Sequence, residues 1–226
     1  ICYMKKVLNG KAEKFFGGTA YENFDDCYYD IKSAINYGIS NGYKDIFLLG
    51  HSLGSTKVVY TYNRLKDNNE EIKNKIKGVL LLSLIDIQST QKIYLGEKYK
   101  SLLEYAKNLE QENKGEQLMP DKSFIYPMSV RVYLRFFKED SDINFAQYSN
   151  NSYEFKELNN IDVPLFMRWG DTNELILQEA DKLCNIVKGK IKNTKADIKY
   201  IAGADHSYNG EEQVLAEEIK NFIQKI

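Results

Sequence analysis

The chain has 226 residues, of which 43% are hydrophobic and 28% charged, and this length supports one domain with a sizeable hydrophobic core. Its 31 basic side chains nearly balance its 32 acidic ones, so no strong field favours binding to nucleic acid or to an anionic membrane. No apolar run approaches the roughly 18 residues that a membrane-spanning helix needs.

The start of the chain and its cysteines point to a cellular setting. Residues 1–8 include two lysines and lack the apolar core of a signal peptide. Cys2, Cys27 and Cys184 are far apart and odd in number, which argues against a disulfide framework and against a zinc site. We therefore expect a reduced, cytoplasmic protein without a bound metal. Because the chain does not begin with methionine, we also expect a fragment of a longer protein.

Hydrophobic periodicity divides the chain into alternating strands and helices. Short, continuous apolar runs predict buried strands, whereas apolar residues that recur every three to four positions predict helices. After an irregular segment at 1–18, the predicted elements are a helix over 24–39, a strand over 45–50, a helix over 55–66, strands over 77–85 and 162–169, a helix over 177–187, a strand over 197–201 and a helix over 214–226.

This alternation predicts an α/β fold with a mostly parallel sheet flanked by helices, in a single domain over residues 1–226. Residues 86–160 interrupt the alternation with two helix-like pieces, so we expect a helical cap insertion there that packs over one edge of the sheet. Its apolar side chains either line a pocket or form the core of the insertion, and their helical spacing favours the core. These side chains are Tyr126, Met128, Tyr133, Phe136, Phe137 and Tyr148.

The sequence Gly50-His-Ser-Leu-Gly54 matches the pattern G-x-S-x-G at a turn between a predicted buried strand and a predicted helix. Such a turn lifts the serine above the carboxyl end of the sheet, and we expect both glycines to avoid collisions with neighbouring backbone. The helix N-terminus favours negative charge there, and the Leu53 N–H is placed to donate to an oxyanion. The pattern predicts Ser52 as a nucleophile; the alternative is a glycine-rich turn with a bystander serine.

The chain has two histidines, and only one of them is well placed in the sequence to act as a base for Ser52. His51 adjoins Ser52, and adjacent side chains point apart, so we interpret it as a structural neighbour. His206 lies between the last predicted strand and the closing helix, from where its ring can reach back over the sheet to Ser52. We therefore predict His206 as the base, with an exposed loop histidine as the alternative.

A carboxylate that orients His206 is expected after the strand at 162–169. The usual position for such an acid, three residues after Gly170, is occupied by Asn173. Glu174 follows it and has one more methylene of reach than aspartate, whereas Asp171 is nearer the strand. We favour Glu174 over Asp171, with Asp86 as a third candidate, and expect the losing carboxylate to cap the next helix.

Taken together, these segments resemble the α/β-hydrolase superfamily. The resemblance rests on Gly50-His-Ser-Leu-Gly54, on residues 164–175 and on Gly203-Ala-Asp-His206, and it spans nearly the whole chain in order. Residues 16–24 also resemble the segment that enters the helix before the G-x-S-x-G turn. Within the superfamily the chain is most similar to a small, uncharacterised bacterial branch, with a distant similarity to fungal siderophore esterases.

Two departures from the superfamily pattern affect what the resemblance implies. The Asn173-Glu174 pair stands where the acid usually lies. The second oxyanion donor of the superfamily follows an early strand, often in a His-Gly motif, and no such motif precedes Ser52. We therefore expect the early strands and this donor to lie upstream of Ile1.

The resemblance implies a serine hydrolase that cleaves a small-molecule acyl ester, thioester or amide through an acyl-enzyme, with no cofactor and no nucleic-acid partner. The cap insertion would then select the substrate. Two alternatives remain: an acyltransferase that uses the same residues, and a non-catalytic ligand-binding protein on a hydrolase scaffold. The sequence does not specify the substrate or the oligomeric state.

Overall fold

A computed structural model describes residues 3–226, so Ile1 and Cys2 lie outside the described residues. Cys27 and Cys184 are buried, and no disulfide bond joins them. Within residues 3–226 the chain forms six strands, which are β1 (Tyr3–Leu8), β2 (Lys11–Phe16), β3 (Ile46–His51), β4 (Ile76–Leu82), β5 (Leu165–Gly170) and β6 (Ala196–Ile201).

The same residues form eight α-helices and three short 3₁₀ segments. The helices are α1 (Cys27–Ser40), α2 (Leu53–Asp67), α3 (Ile87–Leu95), α4 (Lys98–Gln111), α5 (Val130–Phe137), α6 (Lys156–Asn159), α7 (Ala180–Lys190) and α8 (Glu212–Ile223). None of these helices combines the length and apolar composition that crossing a membrane requires.

The strands β3 to β6 form a parallel sheet in the order β3-β4-β5-β6, and α2 and α7 connect two of the neighbouring pairs. Every residue of β5 and nearly every residue of β4 is buried. Because both faces of a parallel sheet are covered, its strands are continuously apolar rather than alternating. The predicted α/β fold with a mostly parallel sheet is therefore confirmed.

The predicted irregular segment at residues 1–18 is wrong, because β1 and β2 pair there as an antiparallel hairpin. Leu8 pairs with Lys11, so the loop is the two-residue Asn9-Gly10, with φ values of 50° and 73°. Asn-Gly is the dipeptide that most readily adopts two successive positive φ values, and such a turn matches the twist of a hairpin. This dipeptide was the missed signal.

The chain divides into two compact units. The first contains the hairpin and residues 91–142, and the second contains residues 26–90 and 143–226, including the parallel sheet. Residues 91–142 lie inside the predicted insertion at 86–160. The single domain over 1–226 and the cap role of the insertion stay predictions.

The apolar side chains singled out in the predicted insertion are mainly packing residues. Met128, Tyr133, Phe136 and Phe137 are buried in the first unit, where the Phe24 and Phe136 rings meet edge to face at 5.6 Å. Tyr148 is buried in the second unit, where its hydroxyl donates to the Leu84 carbonyl at 2.8 Å. The helical spacing of Tyr133, Phe136 and Phe137 on α5 was therefore a packing pattern, as its periodicity favoured.

One strand residue, Arg168 in β5, is charged although only 1% of its side chain is exposed. Its guanidinium lies 3.1 Å from the Asp197 carboxylate and hydrogen-bonds Glu218 of α8, and it stacks 3.9 Å above the Phe166 ring. A buried charge is tolerated when its donors are paired in this way. Arg168 therefore joins β5 to β6 and to the closing helix.

The last residue of β5, Gly170, has no room for a side chain. A Cβ atom there would lie 2.2 Å from the Ala204 carbonyl oxygen. Gly189 in α7 is the opposite case, since a Cβ atom there would meet nothing within 4 Å.

We expect Gly170→Ala to lower the free energy of unfolding by about 1–3 kcal/mol, because the collision forces two backbone segments apart. The matched control Gly189→Ala should raise it by about 0.5 kcal/mol, because alanine loses less entropy in a helix. Urea unfolding followed by circular dichroism measures both values. Equal stability of the two variants would contradict the close approach at Gly170.

Candidate active site

Ser52 lies at a sharp turn between β3 and α2. Its backbone has φ 55° and ψ −124°, a strained conformation for a residue with a side chain. The Ser52 N–H donates to the Leu82 carbonyl at 2.8 Å, which fastens the turn to the end of β4. A Cβ atom at Gly50 would lie 2.4 Å from the Gly54 carbonyl oxygen, so only glycine fits there.

The steric role predicted for the second glycine of the motif is wrong. A Cβ atom at Gly54 would meet nothing within 4 Å. The reason is that Gly54 already lies in the first turn of α2, where its side-chain direction points away from the packed backbone. The tight contact is between Gly50 and the backbone of residues 54 and 55.

Ser55 holds the turn from inside. Its fully buried hydroxyl lies 2.8 Å from both the Gly50 carbonyl and the Leu82 carbonyl. One side chain therefore ties the first turn of α2 to the ends of β3 and β4. This helps to explain how the strained backbone at Ser52 persists.

His206 follows β6 and reaches Ser52. Its Nε2 atom lies 2.9 Å from Ser52 Oγ, and its Nδ1 atom is hydrogen-bonded to Glu174 Oε1. An ionised carboxylate can only accept, so Nδ1 carries the proton and Nε2 of the neutral ring accepts from Ser52. The arrangement can therefore remove a proton from Ser52.

His51 has a different position from His206. Its Nε2 atom donates to the carbonyl oxygen of His206 at 2.7 Å, and the two rings are 5.0 Å apart. Because a carbonyl cannot donate, this contact requires a proton on Nε2 of His51. His51 therefore contacts the main chain of residue 206, which agrees with its interpretation as a structural neighbour.

Glu174 lies in the loop after β5, and 1% of its side chain is exposed. Its Oε1 atom also accepts from the Leu175 N–H at 3.0 Å, and its Oε2 atom accepts from the Gly170 N–H at 2.9 Å. Burial alone would raise the pKa of this carboxyl, but its hydrogen bonds from His206, Gly170 and Ser83 outweigh burial and hold the pKa below its usual value.

Ser83 is a site residue that the sequence analysis missed. It follows β4 with φ 49°, is fully buried, and its hydroxyl lies 2.7 Å from Glu174 Oε2. The Tyr208 hydroxyl is 3.1 Å from Ser83 Oγ and donates to the Arg168 carbonyl at 2.9 Å. A polar residue inside an otherwise apolar run, over residues 79–85, was the available signal for Ser83.

The other two candidate acids lie away from His206 Nδ1. Asp171 Oδ1 accepts from the Gly203 N–H at 2.7 Å, so this carboxylate binds the loop that leads to the histidine. Asp86 Oδ1 accepts from the Ser89 N–H at 3.0 Å at the start of α3. Asn173 adopts φ 48°, a left-handed conformation that asparagine tolerates well.

Leu53 is the first residue of α2, so its N–H belongs to the first turn, where amides have no partner within the helix. This amide follows Ser52 directly and can donate to a group bound at Ser52 Oγ. Among residues 3–226, no three side chains of the metal-binding types are grouped so that they could hold an ion.

Solved structures with a similar fold include a soluble variant of monoglyceride lipase from Saccharomyces cerevisiae in complex with a substrate analogue. It is 16% identical, with a TM-score of 0.58 over 88% of this chain and 68% of that one. A thermostable carboxyl esterase from Bacillus coagulans in complex with glycerol is 14% identical, with a TM-score of 0.60 over 90% and 72%.

A monoacylglycerol lipase from Paleococcus ferrophilus is 14% identical, with a TM-score of 0.53 over 95% of this chain and 84% of that one. At these identities the likeness concerns the fold, and it confirms the α/β-hydrolase fold that the motifs implied. No curated protein sequence matches the chain significantly. The model of one sequence family, described as "Protein of unknown function (DUF1749)", matches residues 6–226, and the chain belongs to this family.

Proposed function

We propose that this protein is a serine hydrolase that cleaves an acyl ester through a covalent acyl-enzyme intermediate. The observation that carries the proposal is the hydrogen-bonded line from Ser52 Oγ through the His206 ring to Glu174. A nucleophile, a base and a group that orients the base, each within hydrogen-bond reach of the next, are the signature of an activated serine.

In the first half of the proposed reaction, His206 Nε2 takes the proton of Ser52 as Oγ forms a bond to the acyl carbon. Glu174 keeps the ring oriented and stabilises the imidazolium that results. The carbonyl oxygen becomes an oxyanion, which accepts from the Leu53 N–H. His206 then gives the proton to the departing alkoxide as the ester C–O bond breaks.

In the second half, water takes the place of the alcohol. His206 Nε2 removes a proton from a water molecule, whose oxygen attacks the acyl carbon of the acyl-enzyme. The Ser52 C–O bond breaks, and the proton returns to Ser52 Oγ. The acid leaves and the starting state is restored, so no cofactor is consumed.

The choice of an ester as substrate is supported by the fold neighbours, whose names are those of a monoglyceride lipase, a monoacylglycerol lipase and a carboxyl esterase. A reduced, cytoplasmic setting is part of the proposal and is supported by Cys27 and Cys184, which are buried and are not joined by a disulfide bond. Burial raises the pKa of Cys184 to about 11, so this thiol is a packing group rather than a nucleophile.

We expect Ser52→Ala to lower the turnover of a p-nitrophenyl acyl ester by about 10³-fold or more, because no nucleophile remains. A fluorophosphonate probe should label the parent protein and fail to label the variant. The control is Ser101→Ala on α4, whose exposed hydroxyl contacts only the Lys98 carbonyl in the described structure. Turnover or labelling that survives in Ser52→Ala would refute the proposal.

Glu174→Gln should lower kcat by about 10³- to 10⁴-fold, since an amide no longer fixes the tautomer of His206 or stabilises its charged form. Asp171→Asn is the matched control, because its amide oxygen can still accept from the Gly203 N–H and it should retain kcat within about tenfold. Steady-state kinetics with the same ester measure both variants. A larger loss in Asp171→Asn would assign the orienting acid to Asp171 instead.

A further inference from the structure

The Glu174 carboxylate is held by more than His206. Its Oε2 atom accepts from Ser83 Oγ at 2.7 Å and from the Gly170 N–H at 2.9 Å, while Oε1 contacts His206 Nδ1. Two donors on one oxygen fix the rotation of the carboxylate and leave the other oxygen directed at the ring. Only one of these two donors, the Ser83 hydroxyl, comes from a side chain.

The Ser83 hydroxyl has one proton and several oxygen atoms around it. Glu174 Oε2 lies at 2.7 Å, the Tyr208 hydroxyl at 3.1 Å and the His206 carbonyl at 3.4 Å. The carboxylate is both the nearest and the only charged acceptor, so the proton goes to Glu174. Tyr208 in turn donates to the Arg168 carbonyl at 2.9 Å.

The backbone conformation at Ser83 is strained, and a hydrogen bond holds it in place. Serine adopts φ 49° there, in the left-handed region, although glycine would occupy it with less strain. The Ser83 N–H donates to the Arg168 carbonyl at 2.7 Å, which fixes the residue between the ends of β4 and β5. Retaining a side chain at a strained, fully buried position points to a role for that side chain.

We propose that Ser83 is a positioning residue for the reaction, acting through Glu174 to keep the carboxylate ionised and aligned with His206. The inference rests on the proposed function. Glutamate has a longer and more flexible arm than the aspartate usual in this fold, and here it reaches the histidine from one residue further along the loop. The hydrogen bond from the Ser83 hydroxyl restricts the additional side-chain rotation that glutamate has over aspartate.

Ser83 also affects how the pair of Glu174 and His206 responds to pH. Among the described residues, the titratable side chains that interact with Glu174 are His206, Tyr148 and Tyr208, and the ring of His51 lies 5.0 Å from the ring of His206. Burial raises the pKa of both tyrosines, so they stay neutral over the assay range. Without the Ser83 donor the carboxylate is a stronger base, and it favours the protonated ring more. The acid limb of the pH profile of kcat/KM should then move to higher pH.

The test compares Ser83→Ala and Ser83→Gly with the parent protein on a p-nitrophenyl ester. Both variants should lower kcat by about 10- to 100-fold with little change in KM, because a hydrogen bond to a charged group is lost. Both should also move the acid limb to higher pH. Glycine relieves the backbone strain, so Ser83→Gly should melt at a higher temperature than Ser83→Ala and yet be no more active.

The control is Ser129→Ala, which removes another fully buried serine hydroxyl, the N-cap of α5, and should lower stability without moving the pH profile. Wild-type kcat and pH profile in Ser83→Gly would overturn the inference. Activity that rises with melting temperature from Ser83→Ala to Ser83→Gly would also overturn it, because that pattern belongs to a purely structural role. A wrong proposed function would be recognised by a different result, namely ester turnover that persists in Ser52→Ala.

Discussion

The geometry of the site depends on a close backbone contact between the loop after β5 and the loop after β6. Both the Asp171 and the Thr172 N–H groups donate to the Ala204 carbonyl at 3.0 Å, and a side chain at Gly170 would prevent this approach. The first loop carries Glu174 and the second carries His206. Because the two segments are joined by backbone hydrogen bonds, the main-chain positions of Glu174 and His206 are held close to each other, and each side chain has only a short distance to span. Asp171 reinforces the join through the Gly203 N–H.

The elements nearest the sheet could be predicted from the sequence because their patterns are local. Apolar runs identified β3, β4 and β5, and residues 197–201 were predicted as a fourth, shorter strand. The motif at residues 50–54 identified the turn at Ser52. His206 followed from its place after the last strand. The hairpin at residues 3–16 was missed because its strands lack alternation, although Asn9-Gly10 carried the signal.

The choice among the carboxylates could only be narrowed, because it depends on how the chain turns after Gly170. A left-handed residue at Asn173 redirects the loop, and this brings Glu174 rather than Asp171 to the ring. The role of Ser83 was more difficult to predict than the choice of the acid. Its contact to Glu174 joins residues 91 positions apart, and no periodicity or short motif reports a pairing of that kind. The role of each side chain in a reaction is not a matter of pattern at all, and it rests on the proposed chemistry.

Two buried charges, Arg168 in β5 and Glu174 in the loop after it, are accommodated in different ways. Arg168 is compensated by carboxylates of Asp197 and Glu218, so charge is neutralised by opposite charge. Glu174 is compensated largely by dipoles, from the Gly170 and Leu175 amides and the Ser83 hydroxyl, and by the His206 ring. Because its donors are neutral, the Glu174 carboxylate keeps its negative charge, and this charge stabilises the His206 ring when the ring becomes positive. A full salt bridge at this position would cancel that charge.

The unequal demands on the two glycines of the turn have a consequence for how related chains are recognised. Gly50 is fixed by contact with backbone, whereas the space around Gly54 is open. Evolutionary drift can therefore replace the second glycine while the strand, the turn and the serine conformation persist. A pattern search that weights both glycines equally would discard such descendants, and one that requires only the first would retain them.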